Sequence, residues 1–193
     1  MDRKRRLRPG NSSGEARNAA TALGPFYPLT RPPEEDADLT TIFGVPGRAQ
    51  GTIIDLVGQV TTEAGAPVAG ALIDTWQTNS FGRYHHPSDP TGAPWDPAFQ
   101  GAAILRADGE GRYRLRTVIP APYENRQRHI HFDVRGRNRR LITQMFFPGE
   151  PNERDYLYQS LRSRPLQAAV TAQRLSERDG MQTFGWNIAL AAE

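Results

Sequence analysis

The stretch Ala102-Ala103-Ile104-Leu105-Arg106-Ala107-Asp108-Gly109-Glu110-Gly111-Arg112-Tyr113-Arg114-Leu115-Arg116-Thr117-Val118 decides the fold. Two strand-like runs, 102–107 and 112–118, flank Asp108-Gly109-Glu110-Gly111, which reads as a hairpin turn. Working outward, strand signals continue at the same density. Residues 51–62 carry the apolar and β-branched run Thr52-Ile53-Ile54-Asp55-Leu56-Val57, and Glu63-Ala64-Gly65-Ala66-Pro67 turns the chain into a second run at 71–77. Runs at 127–134 and 141–147 are joined by Arg135-Gly136-Arg137-Asn138, and 182–190 closes the chain as a last strand. Helix is scarce, with 153–162 and 166–175 the only candidates. The 18 Gly and 16 Pro are too much punctuation for a helical bundle. Short strands with turns this frequent predict an all-β fold, an antiparallel β-sandwich with long irregular loops.

At 193 residues the chain is long enough for one domain with a core. There is no internal repeat, so a single domain is expected over 21–193. Residues 21–47, punctuated by Pro25, Pro28, Pro32 and Pro33, should lie across it as an extended N-terminal arm. Residues 1–20 are charged, rich in Gly, Ser and Asn, and read as a disordered basic tail. That tail explains the net charge of +3, because Arg3, Lys4, Arg5, Arg6 and Arg8 supply five positive charges. From residue 9 onward, 19 basic residues (24 minus 5) face 20 acidic ones (21 minus Asp2). A near-neutral body with a solvated tail leads us to expect no nucleic-acid partner. No apolar run approaches the roughly 20 residues of a membrane span. Pro9-Gly10-Asn11-Ser12-Ser13-Gly14 stands where a secretory signal needs an apolar segment. A cytoplasmic location without membrane contact is therefore expected. There is no cysteine, so disulfide and thiolate chemistry are absent.

All four histidines fall in two clusters, and each cluster carries a tyrosine. The first is Gly82-Arg83-Tyr84-His85-His86-Pro87, and the second is Pro122-Tyr123-Glu124-Asn125-Arg126-Gln127-Arg128-His129-Ile130-His131-Phe132. On a strand, His129 and His131 point the same way about 7 Å apart at Cα, with Ile130 opposite. Two imidazoles so placed can share one metal ion. Tyrosine is an uncommon ligand, since its pKa near 10 keeps it protonated unless a strong Lewis acid depresses it. Two tyrosines beside a His-x-His pair favour a hard trivalent ion, with Fe(III) the natural candidate.

Several stretches resemble the intradiol ring-cleavage dioxygenases, typified by protocatechuate 3,4-dioxygenase and catechol 1,2-dioxygenase. They are Gly24-Pro25-Phe26-Tyr27, Val68-Ala69-Gly70-Ala71 and Trp76-Gln77-Thr78-Asn79-Ser80-Phe81-Gly82-Arg83-Tyr84. The likeness continues through Asp108 to Thr117, Pro120-Ala121-Pro122-Tyr123, Arg126 to Phe132, and Leu141 to Gly149, in the family's order. The resemblance implies a mononuclear Fe(III) held by Tyr84, Tyr123, His129 and His131. Tyr84 would stay bound, and Tyr123 would leave when substrate arrives. Arg126 matches a family arginine behind the cleavage site, Gln144 a glutamine supporting the ligands, and Trp76 a tryptophan near the pocket. Gly24, Pro25 and Tyr27 match the arm at the pocket mouth. His85 and His86 are not used by the family motif and are expected to be peripheral. The implied partners are a small catecholic substrate and O2, and a homo-oligomer is left open. The implied product is a cis,cis-muconate-type diacid.

Two other readings compete. The stretch Leu56-Val57-Gly58-Gln59-Val60 with Pro67-Val68-Ala69-Gly70-Ala71 is also similar to transthyretin-like and carboxypeptidase-regulatory-like modules, which do no chemistry. Such modules lack the four-residue ligand set. A zinc hydrolase would have no use for two tyrosines and lacks an evident general base here.

Overall fold

Alternation along His129-Ile130-His131-Phe132-Asp133-Val134-Arg135 builds a strand whose two faces differ in chemistry. Ile130, Phe132 and Val134 enter the hydrophobic core, while His129, His131 and Asp133 leave on the other face, also buried. The computed structural model describes residues 18–30 and 36–191. Among them, nine strands form two sheets: β1 (Ile53–Thr62), β2 (Leu72–Trp76), β3 (Ala102–Arg106), β4 (Arg112–Val118), β5 (His129–Arg135), β6 (Arg140–Phe146), β7 (Gln173–Arg178), β8 (Met181–Gly185) and β9 (Ile188–Leu190). One sheet has the order β3-β2-β5-β6, and the other β4-β1-β8-β7 with β9 also on β1. Ile54, Leu56 and Leu115 from one sheet share a core with Ile73, Ile130 and Phe132 from the other. The expected all-β sandwich is therefore present. Its pairs are antiparallel except that β8 and β9 run parallel to β1.

The Asp108–Gly111 turn forms, with Asp108 Oδ1 accepting from the Glu110 and Arg112 amides. It is not a hairpin between paired strands. β3 pairs with β2 and β4 pairs with β1, so the turn carries the chain from one sheet to the other. Leu105 and Leu115 face a common core from opposite sheets, and a two-residue alternation is identical for both arrangements.

The C-terminal third departs furthest from expectation. The expected helix at 166–175 is α2 (Arg164–Ala169), capped by Ser163 with a proline in its first turn. It stops because the Phe146 amide donates to the Val170 carbonyl and the Ala172 amide to the Phe146 carbonyl, which draws the backbone onto β6. The expected helix at 153–162 is a single 3-10 turn (Asn152–Arg154) followed by α1 (Tyr156–Ser160), separated by the capping residue Asp155. The expected final strand at 182–190 is interrupted at Trp186 and Asn187, giving β8 and β9.

The arm lies across the domain as expected. The Thr21 amide donates to the Ile142 carbonyl, the Tyr27 hydroxyl to Asp74, and Leu39 is buried beside β4. The expectation of a disordered 1–20 falls mainly on residues outside those described. Asn18, however, is buried, with hydrogen bonds to Ala169, Asn187 and Ala189.

On the outer face of the four-stranded sheet, Asp133 has a fully buried side chain paired with Arg135 and Arg140. Burial alone would raise its pKa, but the two guanidinium hydrogen bonds outweigh it and hold the carboxyl below its ordinary 3.8. A depressed carboxylate stabilises the fold above its unfolded pKa. We therefore expect urea midpoints that stay flat at mildly acid pH and fall as pH drops below about 4, a dependence that Asp133→Asn weakens. Gly58 tests the packing within the five-stranded sheet, since a Cβ there would lie 1.8 Å from the Trp186 carbonyl oxygen. Gly58→Ala should lower stability by about 3 kcal/mol, read from the urea midpoint at unchanged m.

Candidate metal centre

Four side-chain donors converge on the outer face of β5. The Tyr84 hydroxyl lies 2.9 Å from His131 Nε2, 3.3 Å from His129 Nε2 and 3.2 Å from the Tyr123 hydroxyl. The two imidazole Nε2 atoms are 3.1 Å apart. Among the described residues, no group of three or more His, Cys, Asp or Glu side chains gathers elsewhere. The two tyrosines and two histidines singled out in the sequence thus lie side by side.

Each donor is placed by a distinct local device. His131 is opposite Trp76 on β2 and Gln144 on β6, and the Trp76 indole stacks on its ring at 4.8 Å and 11°. His129 Nδ1 is 2.6 Å from the Gln127 carbonyl, so it carries the proton and leaves Nε2 with its lone pair toward the cluster. Tyr84 is held by its amide, which donates to Asp89 at 2.6 Å. Its loop meets the Tyr123 loop through Gly82, where a Cβ would stand 3.0 Å from the Pro122 carbonyl oxygen. Tyr123 begins a tight turn, with the Arg126 amide donating to the Tyr123 carbonyl and Glu124 at φ 47. Such a φ is unusual for a glutamate and marks the turn as strained.

Burial penalises the charged form of every donor. Burial pushes the Tyr84 phenol well up and also raises Tyr123. Burial, then the Arg126 charge, holds His129 down to about 3. Burial, then His129 and Arg126, holds His131 well below its ordinary value. Without an ion all four groups are neutral, as their burial favours. The Arg126 charge acts on all four in one direction, toward phenolate at the tyrosines and neutral imidazole at the histidines.

Arg126 is buried, donating from Nε to Asp155 at 2.8 Å and from Nη2 to Gln144 at 2.5 Å. Tyr27 packs edge-on against Trp76, and Gly24 at φ +79 lies where a Cβ would be 3.6 Å from His131 Cε1. Pro25 is exposed in the turn between them. His85 packs on Trp95, while His86 accepts from the Ser88 amide, and neither joins the donors. Three neighbours escaped the sequence reading. Phe26 stacks on Tyr84 and meets Tyr123 edge-on. Its place inside Gly24-Pro25-Phe26-Tyr27 was a usable signal. Asp155 and Tyr156, whose ring lies 5.2 Å from the Arg126 guanidinium, sit in a segment with no local pattern to mark them.

A dioxygenase family model matches residues 23–192. The protocatechuate 3,4-dioxygenase beta chain of Burkholderia cepacia is 43% identical over 125 residues, which are 60% of this chain and 53% of that one. Catechol 1,2-dioxygenase 1 of Acinetobacter lwoffii is 38% identical over 113 residues, 49% of this chain and 35% of that one. The chain thus spans about a third to a half of the length of these relatives. The dioxygenase domain of a dioxygenase carbohydrate-binding protein fusion from Streptomyces sp. SirexAA-E shares the fold, with TM-score 0.65 at 24% identity over 90% of this chain and 98% of that one. A match that takes in both sheets and all four donors places this chain in the intradiol ring-cleavage dioxygenase family.

Proposed function

We propose that the chain holds one non-haem Fe(III) and opens a catecholic ring between its two hydroxylated carbons, yielding a cis,cis-muconate-type diacid. The observation that carries this reading is the convergence of two phenol and two imidazole donors within 3.3 Å of Tyr84 Oη. A divalent ion is a poor fit to two buried phenols, whereas a hard trivalent ion can depress both. The chemistry supplied by Fe(III) is withdrawal of electron density from the catechol, which lets the ring react directly with O2.

The chain's own residues do the rest. His129, His131 and Tyr84 keep the ion in place, with Tyr84 the more buried of the two tyrosines. Tyr123 is half-buried beside the exposed Glu124 and Asn125, and of the two phenols it would be the one to give way to substrate once the ion is bound. Its Oη takes one proton from the incoming catechol, so charge at the site is conserved. Arg126 is a fixed cation beside the donors and stabilises negative charge that develops on the ring. Phe26, Trp76 and Tyr27 wall the donors with aromatic rings, which suits a flat aromatic substrate. Asn125 supplies no aromatic wall in the tight turn, which supports activity on catechol, protocatechuate and hydroxyquinol with relaxed selectivity.

Protein purified from iron-replete cells should carry about one iron per chain and be red to burgundy from tyrosinate-to-iron charge transfer. Phe at Tyr84 or Tyr123 shifts the band, and Ala at His129 or His131 lowers iron content. A colourless protein with stoichiometric zinc would overturn the reading. Arg126→Ala should keep the colour yet lose on the order of 3 kcal/mol of transition-state stabilisation, roughly a hundredfold in turnover. Arg126→Lys should also be impaired, because an ammonium lacks the planar fork. In an oxygen-uptake panel, the three catechols should differ in rate by less than about a hundredfold, roughly 3 kcal/mol. Cleavage beside the diol, giving a yellow semialdehyde, would contradict the assignment.

A further inference from the structure

Asp155 lies beyond β6, far in sequence from the donors, yet its side chain is fully buried among residues that serve them. Its two carboxylate oxygens face different tasks. Oδ1 accepts from the Leu157 and Tyr158 amides at 2.9 and 3.2 Å, which caps α1. Oδ2 accepts from Arg126 Nε at 2.8 Å and from the Gln127 amide at 2.9 Å. The Gln127 backbone then continues to the centre, since the carbonyl on the other side of its Cα receives His129 Nδ1 at 2.6 Å. One oxygen therefore touches both the cation beside the donors and the amide of the residue whose carbonyl sets a ligand tautomer. The same cap places Tyr156 at the start of α1, with its ring over the Arg126 guanidinium.

We propose that Asp155 is a positioning residue for the reaction, with Oδ2 holding Arg126 directly and His129 through the backbone of Gln127. The proposal rests on the four-donor reading above. The stability of α1 needs only Oδ1, whereas the two Oδ2 bonds go to groups that flank the donors. A buried guanidinium left without Oδ2 could swing away from the donors, because Gln144 would then be its remaining hydrogen-bond acceptor among the described residues. Loss of the Gln127 bond frees the carbonyl that orients His129. Removing a partner behind a ligand in this way typically costs on the order of 10- to 100-fold in metal affinity or activity.

Asp155→Asn separates the two tasks. Its amide oxygen can keep the α1 cap, since Asn caps helices as well as Asp does. Its NH2 group then meets the Arg126 and Gln127 donors and cannot accept from either. In metal-free protein, nitrogen-15 spectra should show His129 of the wild type as one tautomer protonated at Nδ1. Asp155→Asn should give mixed or exchange-broadened signals, with the Leu157 and Tyr158 amides still protected from exchange. Affinity for zinc ion, a colourless probe, should fall on the order of 10- to 100-fold, and kcat on catechol should fall by a similar factor with little change in KM. Adding Asp155→Asn to Arg126→Ala should lower zinc affinity further, because the Gln127 route remains. If Asp155→Asn does not fold, Asp155→Ser takes its place, keeping a capping hydroxyl without a competing NH2.

An unchanged tautomer, with zinc affinity and kcat within about threefold of wild type, would overturn the proposal, since that is below any expected loss of a ligand-orienting partner. So would loss of the amide protection at Leu157 and Tyr158 without any change at His129. The tautomer and zinc readings need no iron. A failure of the iron reading would therefore appear as a colourless, inactive wild type while the test of Asp155 stands.

Discussion

The centre depends on one geometric constraint, the two-residue alternation of β5 inside its sheet. Because β2 and β6 flank it on both sides, β5 cannot slip by one residue without exchanging its faces. In the present register Ile130, Phe132 and Val134 complete the core, and His129 and His131 emerge together outside it. The hydrophobic gain from the core face thus enforces the spacing of two imidazoles on the other. Trp76 and Gln144, the residues opposite His131, take their places from the same pairing.

Polar groups drawn out of water dominate the outer face. Three of the four donors are buried and Tyr123 is half-buried, and the guanidinium of Arg126 shifts each toward phenolate or neutral imidazole. Arg126 can be buried there only because Asp155 and Gln144 satisfy it. Further along the same face, Asp74 and Asp133 stand opposite each other and share Arg135. The arm closes over this surface, with Tyr27 joining Asp74 to the Trp76 ring.

Local physics made much of this legible. Strand runs at 71–77, 102–107, 112–118 and 141–147 appear within a residue of their expected ends, because β-branched and apolar alternation between turn residues has few other outcomes. The donor set was legible for a different reason: tyrosine and histidine in tight clusters are chemically unusual. Pairing partners were less so. The Asp108–Gly111 turn gave no sign of which sheet would receive each arm, since both arms face one core. In the C-terminal third, β6 captures Val170 and Ala172 by backbone bonds that leave no trace in residue type.

The amino-acid sequence by itself determined the all-β class, the side-chain types at the centre and the relative face of His129 and His131, since these follow from local periodicity and side-chain chemistry. Only the tertiary structure decided that Tyr84 and Tyr123 would arrive at those histidines on adjoining loops, that β8 and β9 would run parallel to β1, and that Asp155 would stand behind Arg126 and Gln127. The physical reason is the same in each case. Contacts between residues far apart in the chain are fixed by closing a shared core and satisfying buried hydrogen-bonding groups, and neither requirement is written into any short window of residues.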